Sequence, residues 1–592
     1  MKKIALMVSL SLGTICAANA ASYPPAPDVG QLGTVITNPF KNAPLTAVIG
    51  LAGNTISDVS VKVHGKGANG IDIEYEVGPK SLLNNDGIPI WGMYASHRNK
   101  VTVSFVKDGK KYVEDYTIQT SGISNRYLDS RDNSDLMTVD VKKVSPEFKD
   151  SLYFVNSFTY TPDGTNLSWA AQKAPKKKGA QYPAVKTTGA MFFDMAPMNF
   201  VIDSQGEYRW WMEQDAIYDG FGIDAEQRGL MMGFNQTDKG SFTFTKGQRW
   251  GEFDMMGRFL VDQRLPHGYV DASHEAHYTS IDTVMLRVGK QNYRRDDGVM
   301  VNTVRDHIVE VDRLGNVQEV WDLTKILDPM RDDLLTSLDL GAVCLNVDMD
   351  SIGKKATAEP DADLGDIPGV GAGRNWAHVN SIWYDKNDDS IILSLRHQAT
   401  VKIGRDKEVK WILSPNTGWG ELSNKVLTPV DARGNKLNCE GARCEGTDFD
   451  WSYTQHTSWG NDKGTVTVFD NGDGRFHEQP AMPTMKYSRF VEYKVDPKNM
   501  TVQQLWEYGK EQGYDWYSPI TSNTEYDARS NTMFSFSGSV FMFERGEPTI
   551  GKISEINYDT KEIEVEIDVL SNKDNQPHYR ALKIYPDTLF SE

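Results

Sequence analysis

The chain has 592 residues, 39% of them hydrophobic, and carries a net charge of −18 from 63 Lys and Arg against 81 Asp and Glu. That acidity argues against nucleic acid or an anionic membrane surface as partner, so any anionic ligand must be held by a few placed cations. The length implies more than one domain, and four cysteines are too few for a disulfide framework.

Residues 1–20, "MKKIALMVSLSLGTICAANA", join Lys2 and Lys3 to a short apolar run that ends in Ala18-Asn19-Ala20. This is the form of a secretory signal peptide cut after Ala20. Ile15 before Cys16 fits a lipoprotein signal poorly. No later stretch reaches the roughly 18 apolar residues of a membrane helix, so a soluble exported protein is expected, with no membrane insertion.

Residues 21–140 hold "NAPLTAVIGLAG" and the alternating "SVKVHGKGANGIDIEYEV", and read as a separate β-sandwich. From 141 to 592 one unit recurs: an apolar strand, an acidic or Gly turn, then a strand often containing Trp or Tyr. Its six copies are "FVIDSQGEYRWW" (200–211), "GEFDMMGRFLVDQ" (251–263), "HIVEVDRLGNVQEVW" (307–321), "TVKIGRDKEVKWIL" (400–413), "FVEYKVDPKNMTVQQLW" (490–506) and "ISEINYDTKEIEVEI" (553–567). A second hairpin precedes most copies, giving four strands per unit. The expected fold is all-β, a six-bladed β-propeller behind an N-terminal β-sandwich, with seven blades or a sandwich as alternatives. "AAQKAPKKKGAQYP" (170–183) reads as an exposed basic loop.

The hairpin "HVNSIWYDKNDDSIILSLR" (378–396) turns near residue 387, so His378 and Arg396 face each other at its open end. His274 lies eight residues before Asp282, His378 seven before Asp385 and His456 six before Asp462, while Thr521 lies six before Asp527. Successive units thus offer histidines and a hydroxyl to one funnel. An Arg fork with several imidazoles suits a tetrahedral oxyanion such as sulfate or phosphate, with one imidazole as nucleophile or base and another as acid. A histidine in a strand is more often satisfied core, and His64, His97, His307, His397, His477 and His578 have no such phase to support them. His277 remains an alternative to His274, because "SHEAHY" can present either ring.

A zinc site is disfavoured because HExxH, HxH and paired CxxC are all absent. "DNGDGR" (470–475) lacks the acid spacing of a calcium loop, and no cysteine lies in the Cys-x-Pro-x-Arg of a formylglycine sulfatase. Cys439 and Cys444 can pair in an oxidising compartment, leaving Cys344 odd.

"NCEGARC" followed by "TQHTSW", "NWAHVNS" followed by "LSLR", and "SHEAH" upstream together resemble the bacterial arylsulfate sulfotransferases that work without PAPS. "NPFKNAPLTAVIGL" (38–51) resembles the start of their N-terminal domain. The resemblance implies transfer of a sulfuryl group from a phenolic sulfate donor to a phenol acceptor, with no cofactor and no metal. It implies His456 as the transiently sulfurylated nucleophile, His378 and Arg396 gripping the sulfuryl oxygens, and His274 completing the cluster. Asn380 and Thr521 become polar-shell candidates. It also implies a Cys439–Cys444 disulfide made by the periplasmic oxidation machinery, a periplasmic location and a homodimer. "SHEAHY" departs from the adjacent histidines expected there. A metal-dependent propeller hydrolase or lyase, or a non-catalytic binding propeller, are the competing readings.

Overall fold

The computed structural model describes residues 30–124, 136–160, 195–213, 231–279, 282–296, 298, 300–338, 375–478, 482–572 and 576–592. The signal-peptide segment, the basic loop 170–183 and Cys344 lie outside them. The N-terminal part is two antiparallel sheets. One joins Val35–Thr37, Ala47–Gly50 and Gly87–Ile90, and the other joins Ile73–Val77, Ser57–Val63, Arg98–Lys107 and Lys110–Gln119. Alternation in "DVSVKV" places Val59, Val61 and Val63 inside, against Ile49, Ile88 and Val103.

Beyond residue 137 lie six sheets, each with four consecutively paired antiparallel strands at its heart. Five start from an inner strand: Met231–Gln236, Ala276–Tyr278, Val379–Asp385, His456–Gly460 and Asn523–Asp527. Each of the six repeat copies forms the last two of the four consecutive strands of one sheet, with Thr428–Pro429 and Thr138–Val144 added beyond two of them. Local chemistry explains why they fold so. Asp203, Asp254 and Asp312 each accept two backbone N–H bonds, from the residues two and four positions on, at 2.8–3.0 Å. The glycine three positions after each adopts φ of 80° to 83°, a turn that a side chain would strain. All six outer hairpins carry a register shift of one residue.

The remaining sheet is composite. Its Tyr208–Trp211, Met195–Asp203 and Leu152–Tyr160 come from early in the chain, and its fourth strand, His578–Ile584, comes from the end. The repeat pattern did not foresee this exchange, because the strand lies over 360 residues from its partners.

Buried apolar clusters fill the gaps between consecutive sheets. Trp210 packs with Phe253 between the first two, Trp411 with Val468 between the fourth and fifth, and Phe534 with Val155 between the last and the first. The seams also carry buried polar pairs: Asn156 Nδ2 donates to Met231 O, Thr243 Oγ1 to Ala276 O, Asn380 Nδ2 to Gln455 O, Thr467 Oγ1 to Thr524 O and Asn523 Nδ2 to Ala581 O. Such donors are tolerated inside because each is paired.

Candidate active site

The inner strands begin irregularly. His274 (φ 72°), His378 (48°) and Thr521 (60°) stand in the left-handed region where their strands start, and Thr457 (50°) follows His456. A non-glycine residue there costs roughly 1–2 kcal/mol, and such strain collects where a side chain must be aimed. Register shifts at Val379/Ser381 and His456/Ser458 mark the same ends. Val379 pairs with Leu395, and Arg396 N donates to His378 O at 3.1 Å. The facing of His378 and Arg396 is therefore observed, although near the turn the pairing runs one residue out of step with the count made from sequence, and the bulge at Asn380 absorbs the difference.

One cavity, about 370 Å³ out to its mouth, is lined by His274, His378, Arg396, His456 and Thr521, with Phe158, Met232, Ile520 and Tyr579 as its mostly apolar wall. The five polar residues expected together thus meet. Asn380 does not line the cavity: its amide holds Gln455 O, beside His456, at 2.7 Å. His277 is also elsewhere, 5.3 Å ring to ring from Trp383, which resolves "SHEAHY" geometrically in favour of His274.

Each ring's partner sets its proton. His274 Nδ1 receives Arg287 Nη2 at 2.9 Å and Ser273 Oγ at 2.7 Å. Because guanidinium only donates, the proton of His274 sits on Nε2. Arg305 Nη1 donates to His378 Nε2 at 3.3 Å, so by the same rule Nε2 accepts and the proton of His378 sits on Nδ1, 2.9 Å from the Asn375 side-chain amide. His456 is the reverse of His274: its Nδ1 meets the amide oxygen Asn471 Oδ1 at 2.8 Å, leaving the lone pair on Nε2. Arg396 donates to Thr454 O at 2.7 Å and Asp473 lies 3.9 Å from it.

Burial holds all three imidazoles well below the usual 6.5, reinforced by Arg287 and Arg305 for His274, by Arg305 and His397 for His378, and by Arg396 for His456. They are neutral at physiological pH. A metal ion would meet guanidinium groups already turned to two of the three rings, so the cavity favours an anion.

Sequence reasoning passed over Asn471, Tyr579, Arg287, Arg305 and His397. Tyr579 OH donates to His274 O at 3.2 Å, and His397 packs 4.8 Å from His378 while its Nδ1 donates to Asn375 O. Tyr579 lies on the terminal strand, outside the phase that linked the histidines. His397 was discounted although it follows Arg396 directly. "RVG" and "VRDH" gave no reason to place Arg287 and Arg305 beside His274 and His378.

The model of the arylsulfotransferase family matches residues 138–580, and that of the arylsulfotransferase Ig-like domain matches residues 34–121. The chain is 57% identical to "Arylsulfate sulfotransferase AssT" of Lelliottia amnigena over 98% of both chains. It is also 57% identical to the protein of that name from Escherichia coli O6:H1 (strain CFT073), over 99% of this chain and 98% of the other.

Proposed function

The chain belongs to the arylsulfotransferase family, and on that premise we propose that it moves a sulfuryl group from a phenolic sulfate ester to an acceptor phenol by a ping-pong route through His456. The observation that carries the reading is the opposed placement of protons: His456 offers a lone pair to the cavity and His274 offers an N–H group. Nε2 of His456 attacks sulfur in line, forming an N–S bond as the S–O bond to the aryl group breaks. The electron pair leaves on the aryl oxygen, which departs as phenolate and accepts a hydrogen bond from His274 Nε2–H. Neutral His274 donates without surrendering its proton, and the phenolate is protonated in solvent. Arg396 holds the equatorial oxygens, with His378 beside it in the cavity wall and itself held by Arg305. An acceptor phenolate then attacks sulfur from the vacated side, and the N–S electron pair returns to His456.

Six sheets around one axis, a closed six-bladed propeller, is the architecture this reading assigns. Apolar clusters in successive gaps and the His578–Ile584 pairing support it. Asn380 then serves by fixing the backbone next to the nucleophile, and Thr521, whose hydroxyl donates to Ile520 O at 2.6 Å, by shaping the wall. Export to the periplasm completes the reading, supported by the Cys439–Cys444 disulfide.

The test is intact-protein mass after mixing metal-free protein with an aryl sulfate and no acceptor. An acid-labile gain of one SO₃, absent from His456→Asn and lost on adding phenol, is expected. Phenol release without an adduct would replace the relay by direct transfer or hydrolysis, and no release at all would favour a binding propeller. Because the acceptor reacts as phenolate, the discharge rate should rise with pH up to the pKa of the chosen phenol, which stopped-flow with phenols of graded acidity reads directly.

A further inference from the structure

Asn471 touches no part of the cavity surface, yet it is the only described hydrogen-bond partner of the proposed nucleophile's ring. It is fully buried, and all of its amide is committed. Nδ2 donates to Ser518 O at 2.6 Å and to Thr521 O at 3.1 Å, while Oδ1 faces His456 Nδ1 at 2.8 Å. Amide oxygen and nitrogen are told apart only by their partners. Here the partners decide: turning the amide over would set Oδ1 against two carbonyl oxygens, acceptor against acceptors, and take the donor from Thr521 O. An oxygen therefore meets Nδ1, and Nδ1 must carry the proton.

The backbone around Asn471 is built to hold that orientation. Ser488 Oγ donates to Asn471 O at 3.0 Å and to Ser518 O at 3.3 Å, and Ser518 N donates back to Ser488 Oγ at 2.9 Å. Gly472, at φ 81°, lets the chain turn immediately after it, and Gly472 N donates to Tyr453 O at 3.0 Å. A Cβ at Gly472 would fall 2.2 Å from Tyr487 O.

We propose that Asn471 is the positioning residue of the reaction, fixing His456 as the Nδ1–H tautomer so that Nε2 alone attacks sulfur, and, being neutral, keeping the sulfurylated ring reactive. The inference rests on the His456 relay described above. When Nε2 bonds to sulfur, its lone pair enters the N–S bond, Nδ1 keeps its proton and the ring acquires a positive charge. A carboxylate at position 471 would stabilise that charge and lengthen the life of the intermediate. An amide supplies the same acceptor atom without it, so the electron pair returns readily to Nε2 when the acceptor arrives.

The first measurement is on the unaltered protein: ¹⁵N spectra of labelled histidine, with His456 assigned by difference from His456→Gln. An Nδ1–H, Nε2-unprotonated pattern is expected across pH 6–9, and an Nε2–H or mixed pattern would overturn the proposal whether or not an adduct ever forms. The second is kinetic. Asn471→Ala should lower kcat by about 10²-fold or more, towards the roughly 10⁴-fold that a wrong tautomer costs a comparable histidine, with KM changed less than about threefold. Asn471→Asp should retain the burst of phenol but discharge to acceptor at least about tenfold more slowly, with the acid limb of the burst rate moved to higher pH. Wild-type kcat in Asn471→Ala, or an adduct in Asn471→Asp that discharges at the wild-type rate, would sink the assignment. Should wild type form no adduct, the relay fails while the spectra still report on Asn471.

Discussion

The buried histidines divide by what surrounds them, and their pH behaviour follows. His307 lies between Asp306 (2.8 Å) and Asp322 (3.4 Å); burial alone would lower its pKa, but the two carboxylates outweigh it and push it up to about 9. A pKa raised on folding gives stability that is complete below the unfolded value near 6.5 and is lost as pH rises through 9. The full difference is on the order of 3 kcal/mol at 1.36 kcal/mol per pKa unit. His307→Asn should therefore lower Tm clearly at pH 6 and hardly at all at pH 10, and thermal melts across that range check it. His274, His378, His456 and His578 are shifted the other way, mainly by burial. The unfolded chain takes up protons that they refuse, so acidification from pH 7 to 5 should destabilise the wild type. The sequence put His274, His378 and His456 in phase, but the guanidinium groups of Arg287 and Arg305 and the amide of Asn471 that set the protons of these rings lie elsewhere in the chain and left no local sign.

At the scale of elements, hairpins were the most legible feature, because an Asp and a Gly three residues later dictate the turn without outside help. The bulges that aim His378 and His456 were not legible, since they arise from fitting inner strands against neighbours. The Cys439–Cys444 hairpin belongs to this scale. Its Ala442 O accepts from Tyr453 OH at 2.9 Å, and Thr454, the next residue, holds Arg396 through its carbonyl. Closing so short a loop contributes about 2 kcal/mol. The Cys439→Ser/Cys444→Ser variant should accordingly shift Tm by no more than about 4 °C while kcat/KM falls about tenfold, as expected when a substrate-holding group drifts. Steady-state assays beside calorimetry separate the two effects. Gly233 is a second case: at φ 77° it approaches the His274 backbone so closely that a Cβ would lie 2.4 Å from His274 O. Gly233→Ala should thus cost most of the activity by displacing His274, read as loss of turnover in protein that remains folded by circular dichroism.

Across the whole molecule, the N-terminal sheets and the rest share one core. Trp91 and Met93 join the same buried cluster as Phe154, Trp210 and Phe234. Arg209, fully buried, pairs with Asp203 at 2.8 Å, donates to Gly92 O and Ile71 O, and lies 3.9 Å from the Tyr94 ring centroid. The C-terminal end completes the arrangement: Phe590 packs against Tyr75 at 5.1 Å, and Gly78 N and Ser81 N donate to Phe590 O and Glu592 O. The strand carrying Tyr579 and Arg580 is thereby anchored at its far end. Phe590→Ala should lower stability by about 3–5 kcal/mol and move one calorimetric transition as a whole rather than split it. The sequence by itself determined the all-β class and the six repeated hairpins, and it placed His274, His378, Arg396, His456 and Thr521 where they meet around one cavity, because turn chemistry and strand alternation act over a few residues. Only the tertiary structure decided the exchange of His578–Ile584 into the first sheet, the continuity of the N-terminal core, and the partners Arg287, Arg305 and Asn471. These depend on contacts between residues far apart in the chain, which no local pattern encodes.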